Sequence, residues 1–96
     1  MKGTVFLSGK IAGDPEYKAK FQNAEEHFKK QGFSVINPAI LPEGLTNTEY
    51  MRICFSMIEA CDLVIFLPDW KYSLGAKLEH AYCEYTFKSF EEIGEG

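Results

Sequence analysis

Ser73, Gly75 and Glu79 stand in the order S-x-G-x-x-x-E. A serine at a helix start sets a hydroxyl beside the first free backbone N–H groups, a combination that binds a phosphate or ribose oxygen. A carboxylate six residues further on, within two turns, can act as nucleophile or general base when it faces a cleft. On spacing alone the simpler reading prevails, with Ser73 as an ordinary cap and Glu79 as a solvated helical residue. Earlier in the chain, Gly9 and Gly13 bracket the segment Ser8-Gly9-Lys10-Ile11-Ala12-Gly13 just ahead of a helix. Glycines there let backbone amides approach an anion or a sugar closely. Taken by itself, such a loop is first of all a tight turn. Asp69, Trp70 and Tyr72 fall together between an apolar run and Ser73. Trp70 and Tyr72 either stack on a nucleobase or shield the core edge, and both readings stand. Asp69 either hydrogen-bonds a ribose or faces water.

Other chemistries find less support. There is no Walker A sequence and no G-x-G-x-x-G, so neither standard nucleotide fingerprint applies. His27 and His80 sit on predicted helices without metal-ligand spacing, so neither a metal nor a cofactor is expected. Cys54, Cys61 and Cys83 are odd in number and form no C-x-x-C pair. They predict free thiols in a reducing compartment, hence a cytoplasmic protein. Cys54 has no adjacent base and reads as a small apolar side chain.

The elements that must carry these residues alternate in type. Thr4 to Leu7 reads as a buried strand. Asp14-Pro15 predicts a helix start, with Tyr17, Phe21, Ala24 and Phe28 along one face and Gly32 as the stop. Phe33 to Ile36 is a second strand, followed by a loop rich in proline up to Leu45. Thr46-Asn47-Thr48-Glu49 has the form of a capping box for a second helix, with Met51, Cys54, Met57, Ile58 and Cys61 on its inner face. Asp62 to Leu67 is apolar enough for a strand covered on both sides, and a third helix runs from about Leu74 to Phe87. Strand and helix in alternation give an α/β fold with a parallel sheet. Three loops then share the carboxyl rim of the sheet, where such folds bind ligands.

The 96 residues fit a single domain, over residues 1–96, and the net charge of -4 counts against a nucleic-acid polymer as partner. No apolar run approaches the roughly 20 residues of a membrane span, and the N-terminus lacks the apolar stretch of a signal peptide. Aromatics at 15% are plentiful for this size and leave surface for a partner.

Five segments occur in one order: Phe6-Leu7-Ser8-Gly9-Lys10-Ile11-Ala12-Gly13; Val35-Ile36-Asn37-Pro38; Tyr50-Met51-Arg52; Cys61 through Trp70; and Ser73-Leu74-Gly75-Ala76-x-x-Glu79. From about residue 4 to residue 85 the series resembles the nucleoside 2-deoxyribosyltransferase-like superfamily, and most of all a small branch found in phages and bacteria. The resemblance implies a three-layer flavodoxin-like sandwich with sheet order 2-1-3, open to a fourth strand from residues 88–96, whose course the pattern leaves undecided. It implies action on the N-glycosidic bond of nucleosides or nucleotides, as a deoxyribosyltransferase or glycoside hydrolase, in a homodimer or larger homo-oligomer. By the same resemblance Glu79 is the catalytic nucleophile. Ser8, Gly9, Lys10, Ile11, Gly13, Cys54, Asp69, Trp70, Ser73 and Gly75 are the ligand-binding residues, with Ser73 and the glycine loop holding the 5′ hydroxyl or phosphate. Two positions depart from the family pattern: Phe6 where tyrosine is usual, and Cys54 where aspartate is usual. They favour a second expectation, a protein that binds or sequesters a nucleotide or a nucleotide signal without turning it over.

Overall fold

The computed structural model describes residues 2–94. Its elements are β1 (Thr4–Ser8), α1 (Tyr17–Lys30), β2 (Ser34–Ile36), α2 (Asn47–Ala60), β3 (Leu63–Phe66), α3 (Leu74–Thr86) and β4 (Phe90–Glu92). Short 3-10 turns at Pro38–Ile40 and Trp70–Tyr72 lie in the loops after β2 and β3. The strands form one sheet in the order β2-β1-β3-β4, with every neighbouring pair parallel. The fold is the expected α/β sandwich.

Side chains alternate across a strand, so β1 feeds two cores at once. Val5 and Leu7 join Ile65, Leu67, Phe21 and Phe28 beneath α1. Phe6 joins Val64, Phe66, Cys54, Ile58 and Cys83 beneath α2 and α3. Ser8 shares the Phe6 face, which turns its hydroxyl toward α3. That alternation places the last residue of β1 against the third helix.

The ends of α2 and α3 follow from local chemistry. Thr46 and Glu49 form the reciprocal capping box, with the Thr46 hydroxyl accepting from the Glu49 N–H at 3.1 Å and the Glu49 carboxylate accepting from the Thr46 N–H at 2.9 Å. Ser73 caps α3 through the Ala76 N–H at 3.2 Å. The start of α1 is different from the one expected at Asp14-Pro15. Asp14 accepts from the Glu16 N–H at 2.9 Å in a turn of its own and pairs with Lys20, so the helix begins at Tyr17. Its carboxylate is engaged in the loop rather than at the helix end. β3 is also shorter than the apolar run, since Asp62 spends its carboxylate on the Thr4 N–H at 2.8 Å.

α3 stops at Phe87, whose φ of 59° is left-handed. The chain then returns as β4, which pairs with β3 through Val64 opposite Phe90. The undecided tail therefore supplies the fourth strand, while Glu95 and Gly96 lie outside the described residues. No helix among the described residues is long and apolar enough to cross a membrane.

Candidate functional site

Ala76, Glu79 and Cys83 are the buried residues of α3, at the spacing of a helix face turned to the sheet. Two of these are small apolar side chains, and the third is a carboxylate only 4% exposed. Charged side chains are almost never fully buried without a partner, so a carboxyl at this position needs one. Its partner is Ser8 at the end of β1, whose hydroxyl donates to Glu79 Oε1 at 2.5 Å. The Cys54 thiol of α2, fully buried, lies beside the same carboxyl group. Burial pushes the Glu79 carboxyl up to about 7, with the Ser8 hydrogen bond and then the neighbouring Cys54 thiol holding it back in part. A carboxylate poised there is half ionised near neutrality and far more basic than a solvated one. Burial, reinforced by the Glu79 charge, pushes the Cys54 thiol up to about 12. The Tyr50 phenol is raised as well, first by burial and then by Cys54.

Glu79 stands in the wall of a cleft of about 1030 Å³ at the carboxyl ends of β1 and β2. That volume lies at the upper end of the range for small-molecule sites. Ser8, Gly9, Ile11 and Gly13 form one side of it, and Ser73, Gly75 and Glu79 another. Tyr17, Tyr50 and Met51 face them from α1 and α2. The first hydrogen bond inside α3 runs from the Lys77 N–H to the Ser73 carbonyl at 3.0 Å. The Leu74 and Gly75 amides precede it and remain for a ligand oxygen. At Gly13 φ is +82°, a left-handed conformation that favours glycine. At Gly9 a methyl group would meet Asp69 Oδ1 and Leu67 at 3.1 Å, so glycine is what lets the loop pass.

A family model matches residues 3–90, nearly the whole chain. The chain belongs to the family described as Domain of unknown function (DUF4406). No curated protein matches it. Among solved structures it is similar to a 2-desoxiribosyltransferase from Leishmania mexicana, with a TM-score of 0.75 at 17% sequence identity. The alignment covers 97% of this chain and 65% of that one, so the DUF4406 chain spans somewhat under two thirds of that protein's length. At this identity the likeness is one of fold, and the fold is deoxyribosyltransferase-like.

Within the DUF4406 fold several of the expected ligand-binding residues lie away from the cleft. Trp70 stacks on His80 at 4.0 Å between ring centroids and 6° between planes, and packs on Phe66. Of its two readings, shielding the core edge is the one its contacts match. His80 in turn holds Glu84 at 3.2 Å and Glu92 of β4 at 2.9 Å. Asp69 accepts from the Lys10 N–H at 3.0 Å and pairs with Lys20, which also bonds Asp14 at 2.5 Å and the Lys10 carbonyl at 2.7 Å. Asp69 and Lys10 therefore brace the glycine loop from behind. Cys54 is fully buried and touches Glu79 instead of the cleft. Phe6 is also fully buried, within the apolar cluster under α2 and α3. Tyr50 and Tyr17 enter the cleft wall although the residue pattern gave them no site role. The signal for Tyr50 was its i,i+4 spacing to Cys54, which reads equally well as a core face. Among the described residues no group of His, Cys, Asp and Glu is gathered to hold a metal ion.

Proposed function

We propose that this protein binds a nucleoside or nucleotide in the cleft and cleaves its base–sugar bond through Glu79. One observation carries the reading: a buried carboxyl held by Ser8 in the wall of a cleft large enough for such a ligand. In the reaction, a Glu79 carboxylate oxygen forms a bond to the anomeric carbon while the carbon–nitrogen bond breaks. The bonding pair leaves with the base, which takes a proton from solvent. Water, or a second base, then opens the glycosyl ester and frees Glu79. Ser73 and the Leu74 and Gly75 amides hold the 5′ oxygen or phosphate, and the Gly9 to Gly13 loop closes over the sugar.

Incubation with a panel of nucleosides and their monophosphates, with chromatography for free base, tests this reading. Release from at least one compound is expected, falling by a factor of about 10³ or more in Glu79→Ala. No release from any compound counts against turnover.

Phe6 and Cys54 favour a second reading, binding without turnover. Phe6 offers no hydroxyl to the nucleophile, and Cys54 offers a neutral thiol in place of a carboxylate. Under this reading a nucleotide stabilises the fold without being consumed. At 100 times its Kd it adds about 2.7 kcal/mol, visible as a thermal shift. A shift without base release selects the second reading. Three buried free thiols suit a reducing compartment, and we assign the protein to the cytoplasm.

A further inference from the structure

The two carboxyl oxygens of Glu79 stand in different surroundings. Ser8 donates to Oε1 at 2.5 Å, and among the described residues Oε2 has no hydrogen bond. No enclosed side-chain oxygen of the described residues is left without a partner, so Oε2 opens into the cleft that Glu79 lines. The hydroxyl that holds Oε1 is itself fixed. Ser8 ends β1, which lies between β2 and β3, and stands opposite Phe66. Its carbonyl accepts from the Leu67 N–H at 2.7 Å, and the residue is only 1% exposed. Phe6, its neighbour on that face of β1, has no hydroxyl to offer.

The direction of the bond follows from counting hydrogens. An ionised carboxylate only accepts, so the Ser8 hydroxyl spends its one hydrogen on Glu79 and has none for a ligand. We propose that Ser8 is a positioning residue for Glu79: its hydroxyl anchors Oε1 and so presents Oε2 to the anomeric carbon. The inference rests on reading Glu79 as the nucleophile. Oε2 forms the bond to the anomeric carbon as the carbon–nitrogen bond breaks, and the bonding pair leaves with the base, which takes a proton from solvent. When water opens the ester, the same hydrogen bond stabilises the carboxylate as it reforms. The anchor matters because a small misplacement of a reacting oxygen costs far more in rate than in affinity. The other titratable groups that feel the Glu79 charge are Tyr50 and Cys54 of α2 and Cys83 of α3. Burial raises all three, Cys54 to about 12 and Cys83 to about 11, so none of them titrates near neutrality.

The test joins a titration of the Glu79 carboxyl carbon by NMR in the ligand-free protein, across about pH 5 to 9, to the pH profile of base release from the nucleoside and monophosphate panel. A hydrogen bond to the ionised form lowers the midpoint, so loss of the donor must raise it. Ser8→Ala is expected to raise the midpoint by about half a pH unit or more. On the alkaline plateau, where Glu79 is ionised with or without Ser8, kcat is expected to fall about tenfold or more while KM moves less than about twofold. Ser8→Thr, which keeps the hydroxyl, is expected to restore both values. Should Ser8→Ala fail to fold, Ser8→Cys puts a weaker donor in the same place and is expected to raise the midpoint by less. The proposal is overturned if the midpoint stays where it is in Ser8→Ala, or rises while the kcat plateau is unchanged. A rise in KM at constant kcat overturns it too, since that is the mark of a ligand contact. Because the NMR midpoint needs no turnover, its failure is distinct from failure of the catalytic reading, which shows as absent base release in the unaltered protein.

Discussion

A carboxyl group that stays neutral up to about pH 7 in the fold has a calculable effect on stability. Its ordinary value is 4.5, so between about pH 4.5 and 7 the folded protein holds a proton that the unfolded chain has released. Stability therefore falls as pH rises through this window and levels off above it. At 1.36 kcal/mol per unit the penalty reaches about 3 kcal/mol. Glu79→Gln keeps the shape and removes the charge. The variant is expected to be more stable than the unaltered protein at pH 8, by up to about 3 kcal/mol, with the gap closing below pH 4.5. Urea unfolding at a series of pH values measures it. A gap that does not change with pH would mean that Glu79 is not the buried acid described here. A stability gain on losing a charge is the mark of a residue kept for its chemistry rather than for the fold.

At the scale of elements, the glycine loop is held by Lys20 of α1, whose ammonium lies between Asp14 and Asp69 and bonds the Lys10 carbonyl. All three side chains are roughly a quarter exposed, so each pair is only partly shielded from solvent. Lys20→Met leaves the two carboxylates facing each other without a cation. The expected outcome is about tenfold weaker binding by calorimetry with whichever nucleoside or nucleotide the panel identifies. Unchanged affinity would show that the loop keeps its shape without this clasp. The clasp was hidden in the sequence because Lys20 is one of many lysines on a polar helix face, and only the fold brings Asp69 to it. By contrast α2 and α3 were legible, since Thr46, Glu49 and Ser73 state their caps within four residues. Glu79 was legible as a candidate through its motif, but its burial was not, because a single charged residue barely alters an apolar stripe. Trp70 shows the opposite case: its type and its loop both suited a ligand, and His80, ten residues away, claimed its face. Residues whose roles are settled by near neighbours could be read directly, and those settled by distant contacts could not.

For the whole molecule, the question is what covers the outer face of α3. Leu74, Leu78 and Tyr85 are 81%, 55% and 88% exposed. They fall at i, i+4 and i+11, which is one stripe along the helix. Leu74 and Leu78 also stand at the rim of the cleft, so whatever covers the stripe also narrows the cleft opening. A chain of this size supplies few large side chains to spare, and leaving such a stripe in water invites association. A second copy of the chain is the occupant we expect, with the two α3 stripes packed against each other about a twofold axis. A stable interface needs about 800 Å² from each partner, more than the stripe alone supplies, so α2 or the loop at Tyr72 must contribute. Tyr85→Glu puts a charge on the stripe without touching the cleft lining. Sedimentation is expected to show the unaltered protein as a dimer at micromolar concentration and the variant as a monomer. If the variant also binds nucleoside or nucleotide more weakly, the partner copy completes the cleft. Unchanged affinity in the monomer means that one chain holds the ligand by itself, and a monomeric unaltered protein rules out the dimer.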